Sequence, residues 1–185
     1  MSIFSKDYYQ GKFIPKHIEK CMNYNHKVFT KDQPITFRSS WELIICRFCD
    51  EEDAVIAWGS EILKVSYIFE GKEHQYIVDF IIIVKNKHGD VVKWIVEVKP
   101  DNQSEHFDEN GNVIYPPAPK KKTQKAIMRW QEKCAVITKN SKKWEAARNW
   151  TYKMGWIHEE HGCKVPNFKV LTENEIFSIF KCKTT

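Results

Sequence analysis

The chain has 185 residues, 42% hydrophobic and 14% aromatic, which is enough for one domain with a buried core, or one domain with an arm. No run of eighteen apolar residues is present to cross a membrane, and Met1 to Gln10 carry no signal-peptide core. Six cysteines without such a signal read as reduced thiols in a cytoplasm.

The formal charge of +5 says less than its distribution. Residues 1–38 hold 7 basic and 3 acidic side chains, 39–118 hold 7 and 15, and 119–148 hold 10 and 2. An acidic middle between two basic stretches suits a polyanion gripped by the flanks and a cation held at the centre.

In chain order, residues 1–38 show no sustained periodicity and read as an extended basic arm with aromatic anchors, followed by one domain over 39–185. Ser39 and Glu42 form a capping box that opens a helix, apolar from Trp41 to Cys49. Asp50-Glu51-Glu52-Asp53 is expected to end it in solvent. Glu42 shares a face with Ile45, Cys46 and Cys49 and so leans inward. Strands are predicted at 55–58, 62–69, 75–84 and 91–99, joined as an antiparallel meander. Residues 100–119 read as a long Pro-rich loop of the kind that often carries function. A basic helix is expected from Lys120 to about Thr138, with Ile127, Trp130, Cys134 and Ile137 inward. A second follows, capped by Ser141 and stopped by Gly155. His158 to Asn167 reads as a loop, Phe168 to Leu171 as a last strand, and Thr172 with Glu175 as the cap of a final helix. The fold class is α+β, a sheet covered by helices.

The chemistry concentrates in the strand Val91 to Lys99. Side chains alternate along a strand, so Glu97 and Lys99 share a face. Asp79, eighteen positions earlier, interrupts the apolar run Ile77 to Ile83, where an acid is costly unless it binds something. Asp79 and Glu97, with the Val98 carbonyl, are hard oxygen donors for a divalent cation. Lys99 would orient or deprotonate a water beside it, and Glu42 would support the metal. Read instead as structure, Glu97 and Lys99 are a surface ion pair at a strand end, Asp79 is a turn acid and Glu42 is a capping residue. Gln124 and Lys125, with Lys121 and Lys122, are expected to reach a DNA phosphate near that metal. Lys142, Lys143 and Arg38 are further candidate DNA contacts. Cys46-x-x-Cys49 and His158-x-x-His161-x-Cys163 have zinc-ligand spacing, but two cysteines inside an apolar helix read as core, and no zinc is expected.

Glu42, Asp79 and Glu97-Val98-Lys99 in this order resemble the PD-(D/E)xK nucleases, with Val78 where that superfamily often has proline. Gly11-Lys12-Phe13-Ile14-Pro15, Phe37-Arg38-Ser39-Ser40-Trp41-Glu42, Trp58-Gly59-Ser60-Glu61, Glu97-Val98-Lys99-Pro100 and Lys143-Trp144-Glu145-Ala146-Ala147 further resemble the head-completion nucleases of T-even-like tailed phages. The core is similar to the endonuclease subunit of a heteromeric transposase. The resemblance implies a restriction-endonuclease-like fold and a Mg²⁺-dependent DNA endonuclease, with Mn²⁺ able to substitute. It implies Asp79, Glu97 and Val98 as metal donors, Lys99 as the catalytic lysine and Glu42 in support. It also implies double-stranded DNA and portal or neck proteins as partners, and action in the host cytoplasm during assembly, leaving open whether the protein stays in the virion. No membrane or small-molecule cofactor is expected. The alternative is a catalytically silent neck or connector protein that keeps the fold to bind DNA or the portal.

Overall fold

The computed structural model describes residues 10–25, 33–104, 106–108 and 112–180. The leader expectation for residues 1–9, Lys31-Asp32 of the arm, 109–111 of the loop and Cys182 lie outside the described residues. None of the described helices is long and apolar enough to cross a membrane.

A four-stranded sheet is the centre of the molecule. Its strands are β3 (Val55–Ser60), β6 (Phe80–Lys85), β7 (Val91–Val98) and β10 (Phe168–Leu171), in the order β10-β7-β6-β3. β3, β6 and β7 are antiparallel neighbours, while β10 lies parallel to β7 with Val170 opposite Glu97. The antiparallel pairing is as the sequence predicts, and so are two sets of neighbours, β6 with β7 and β4 (Lys64–Phe69) with β5 (Lys72–Ile77), but β3 does not pair with β4. β4 and β5 leave the sheet as a hairpin of their own, and β3 pairs directly with β6. Glu70 and Gly71, at φ 50° and 72°, make its two-residue turn, a conformation that matches strand twist and favours glycine.

The predicted strand 75–84 is therefore two strands, β5 and β6, broken at Val78-Asp79. Three tertiary hydrogen bonds hold the break. The Val78 amide donates to the Leu63 carbonyl, the Glu61 amide donates to the Asp79 carbonyl (3.0 Å each), and the Val98 amide donates to Asp79 Oδ2 at 2.8 Å.

Period-two alternation sends β7 side chains into two cores. Val96 and Val98 join Trp58, Phe80 and Ile82 beneath α2 (Ser40–Glu51) and α4 (Glu173–Phe180). Ile95 faces the other way, with Val65, Tyr67, Tyr76 and Val78 of the hairpin region and Trp144 and Ala147 of α3 (Gln124–Lys153). Glu97 and Lys99 follow Ile95 on that second face.

Before α2, the chain forms β1 (Gly11–Phe13), the short helix α1 (Met22–Asn25) and β2 (Ile35–Phe37), which pairs with β1. Cys21, Tyr24 and Ile35 are in the first core, and Asn23 bonds both the amide (2.9 Å) and the carbonyl (2.8 Å) of Ser60. Ser39 caps α2 as predicted, its Oγ accepting from the Glu42 amide at 3.1 Å. Asp50 departs from expectation. It is 1% exposed and accepts from the amides of Lys16 (2.8 Å) and His17 (3.0 Å), while the predicted solvent end begins only at Glu51.

Two helices predicted over 120–154 are one of 30 residues, capped by Thr123 rather than begun at Lys120. No break occurs at Ser141, because Asn140, a residue that competes with helical backbone elsewhere, instead donates to the Gln103 carbonyl at 3.1 Å. Gly155, at φ 68°, ends the helix as predicted. The predicted loop 158–167 is a hairpin of β8 (Ile157–Glu160) and β9 (Cys163–Pro166), turned by His161 and Gly162, both at positive φ. Thr172 and Glu175 form the expected capping box, with the Thr172 amide donating to Glu175 Oε2 at 3.0 Å.

Candidate active site

Two elements bring the predicted residues together. β7 supplies Glu97 and, one residue past its end, Lys99, the β5–β6 junction supplies Asp79, and the Val98 amide of β7 holds the Asp79 carboxylate at 2.8 Å. Lys99 Nζ lies 2.7 Å from Glu97 Oε1 and 3.8 Å from Asp79 Oδ2, so one ammonium bridges two acids. Its third neighbour is the Val98 carbonyl at 3.3 Å. Glu97 is 1% exposed, whereas the Asp79 side chain is 21% exposed and opens the pocket to solvent.

Burial, and then the negative charge of Glu97, push the Asp79 carboxyl well above its ordinary pKa, with Lys99 and the Val98 amide opposing. Burial works against the Lys99 charge as well, but Asp79 and Glu97 outweigh it and hold the ammonium above its usual pKa. The pocket therefore binds positive charge.

The donor chemistry fits a divalent cation. Asp79 Oδ1 accepts no hydrogen bond from the described residues, and Glu97 Oε1 and the Val98 carbonyl are both held only through Lys99 Nζ among side-chain donors. All are hard oxygens of the kind Mg²⁺ takes. No third acid, histidine or cysteine completes a metal-binding group among the described residues. Glu42, expected in the metal set, is not brought into it. Its Oε2 accepts from the Arg38 amide at 2.8 Å and its Oε1 from Ser39 Oγ at 3.1 Å. The capping box takes both oxygens, and Glu42 reaches the site only as negative charge felt by Asp79 and Lys99.

Two further residues complete the pocket. Tyr76 Oη donates to Glu97 Oε2 at 2.5 Å, and burial followed by the Glu97 charge raises the phenol far above its usual pKa. The sequence marks Tyr76 only by its place on the inner face of a strand three residues before Asp79. Lys143 of α3, expected as a DNA contact, stands here, its Nζ 5.6 Å from the centre of the Tyr76 ring. Burial lowers its pKa, the charge of Glu97 opposes, and Lys99 and Lys139 lower it further.

The other predicted DNA contacts lie elsewhere. Gln124 is nineteen residues before Lys143 on one helix, about 28 Å at 1.5 Å per residue. Gln124 and Lys125 therefore cannot reach a phosphate at the Asp79–Glu97 pocket, and Lys121 and Lys122 precede the helix cap and are exposed. Lys142 is exposed and pairs with Glu145 at 2.9 Å. Arg38 pairs with Glu61, a non-glycine residue at φ 55° whose amide bonds the Asp79 backbone. Cys46 and Cys49 lie fully buried in the first core, and Cys163 is exposed on β9. His158 bonds the Asn167 side chain at 2.6 Å.

A central strand bearing Glu-x-Lys, an aspartate from the neighbouring strand's entry, and helices on both faces define a restriction-endonuclease-like fold. The chain belongs to the TnsA-like endonuclease N terminal family, whose model matches residues 52–160 and so includes Asp79, Glu97 and Lys99 but not Glu42. It is 30% identical over 168 residues to the head completion nuclease of Enterobacteria phage T4, covering 90% of this chain and 92% of that protein.

Proposed function

We propose that the protein is a Mg²⁺-dependent DNA endonuclease, a phosphodiester hydrolase that processes the packaged DNA end at completion of a phage head. The observation that carries this reading is the pocket in which Asp79, from the β5–β6 junction, and Glu97, from β7, share the single ammonium of Lys99. Asp79, Glu97 and the Val98 carbonyl would hold the ion, with Mn²⁺ able to substitute. When bound, such an ion lowers the pKa of a water and sets positive charge against the phosphate.

The chain's own groups do the rest. Lys99 keeps its proton because two carboxylates stabilise it. It therefore acts as a fixed cation and donor, orienting the attacking water and a non-bridging phosphate oxygen as negative charge builds. Tyr76 pins the second oxygen of Glu97, so the carboxylate cannot rotate away from Lys99. Lys143 adds positive charge on the α3 side, and Glu42 tunes the field from the end of α2. The likeness to the T4 protein supports the role in head completion, and in that role the protein would meet portal or neck proteins in the host cytoplasm.

Asp79→Ala and Lys99→Ala should each slow Mg²⁺-dependent nicking of supercoiled plasmid by at least about a hundredfold, with unchanged circular dichroism. Wild-type nicking by both variants would remove the assignment. Calorimetric titration with Mg²⁺ or Mn²⁺ should show binding by the wild type and none by Asp79→Ala.

A further inference from the structure

The two halves of α3 differ in what stands opposite them. Its buried residues are Ile137, Asn140, Trp144, Ala147 and Thr151, none of them before 137. The outer half, from 124 to 136, therefore buries no residue. It is braced from behind, where Trp130 Nε1 donates to the Pro116 carbonyl at 2.7 Å and Tyr115 Oη lies 3.1 Å from Thr138 Oγ1.

The front of that outer half is open and basic. Eighteen residues make five helical turns, so Lys125 stands on the same line along α3 as Lys143, and Arg129 and Lys139 fall within about 40° of it. Lys125, Arg129 and Lys139 are exposed, and none is ion-paired among the described residues. Glu132 is the one acid on the line. At its inner end, Lys143 meets Tyr76 and feels the charge of Glu97 and Asp79.

A row of lysines on a helix is most often a solvated face. This row differs in its direction. It is straight, and its inner end, Lys143, stands at the pocket holding Asp79, Glu97 and Lys99.

We propose that Lys125, Arg129 and Lys139 form a track for backbone phosphates of duplex DNA, leading away from the bond to be cut. Lys125 is about 27 Å from Lys143 along the axis, which corresponds to about eight base pairs at 3.4 Å each. The enzyme would therefore need about that much duplex on one side of the cut and little on the other. Phosphate contacts position without reading sequence, so the track adds affinity without base preference. The end point of the track rests on the nuclease reading above, but its hold on DNA does not.

The test uses the full chain and a fluorescent 30-base-pair duplex in EDTA, with anisotropy measured across a range of KCl. The variant Lys125→Ala/Arg129→Ala/Lys139→Ala changes only exposed helix positions, to a residue that favours helix; Lys125→Glu is the second variant. The triple variant should bind more weakly, and its slope of log affinity against log salt should fall by about 2.7 for three lost phosphates. Plasmid nicking should return to the wild-type rate at saturating DNA. Wild-type affinity and slope in both variants would overturn the track and leave an acidic protein surface as the partner of this face. A wild-type protein that binds no duplex overturns it too. A wild type that binds with the larger slope but nicks nothing keeps the track and removes the nuclease reading.

Discussion

Two carboxylates among the described residues are 1% exposed, Asp50 at the end of α2 and Glu97 near the end of β7, and they are kept in different ways. Asp50 accepts from two backbone amides, Lys16 at 2.8 Å and His17 at 3.0 Å. Those donors are fixed in the chain and cannot be exchanged, so the acid stitches the segment before α1 to the domain. Glu97 accepts from two side chains, Tyr76 and Lys99, and shares the second with Asp79. Those donors can move, and the second acid is open to solvent. Burial alone therefore does not set Glu97 apart. A neighbouring acid and a replaceable cation do.

The sharpest way to break this comparison is Asp50→Ala. It strands two amide hydrogens, and charge-assisted bonds of this kind are worth about 1.5–3 kcal/mol each. We expect a loss of about 3 kcal/mol in urea unfolding, with plasmid nicking at low temperature kept. Loss of nicking without loss of stability would place Asp50 in the chemistry instead.

Tyr76→Phe should act the other way and more weakly. It removes one donor from Glu97 and leaves the aromatic packing, and partners of this kind change metal affinity or activity by about tenfold or more when lost. Mg²⁺ affinity by calorimetry should fall about tenfold while the urea midpoint moves little. A variant that binds Mg²⁺ as the wild type does would show that Lys99 alone orients Glu97.

How legible each acid is in the sequence follows from the range of the forces that place it. Glu97 and Lys99 are set by strand alternation, a two-residue rule, and they fall where that rule puts them. Asp50 is four residues after Cys46, on the buried stripe of α2, so helical register points inward; the run Asp50-Glu51-Glu52-Asp53 suggests solvent more strongly. Asp79 belongs to the site, but its place between β5 and β6 depends on amides from Glu61 and Val98 and on the Leu63 carbonyl. In the run Tyr76 to Val84 the one turn-type residue is Asp79 itself, and read as a turn acid it marks the break. Asn140 within α3 and the distance of Gln124 from the pocket likewise became visible only with the whole helix. Glu42 was legible as a cap, and its inward lean brought its charge, not its oxygens, to the pocket.

The smallest effect expected, and the one of opposite sign, is on stability at Asp79. Its carboxyl is held well above the ordinary range, first by burial and then by Glu97. With the native pKa above the unfolded one, the folded state binds the extra proton between the two values. Asp79's contribution to stability without metal is then most favourable at low pH and falls as pH rises through its native pKa. Asp79→Asn keeps an oxygen to accept from the Val98 amide and removes the charge that faces Glu97 and Glu42. In EDTA its melting temperature should exceed that of the wild type at neutral pH, and the two should converge as the buffer is acidified and Asp79 takes up its proton. Saturating Mg²⁺ should reverse the order at neutral pH, because only the wild type gains from binding. Asp50→Asn, at an acid satisfied by backbone amides, should show no such crossing. A crossing at Asp50, or none at Asp79, would mean that the two carboxylates are kept for the same reason after all.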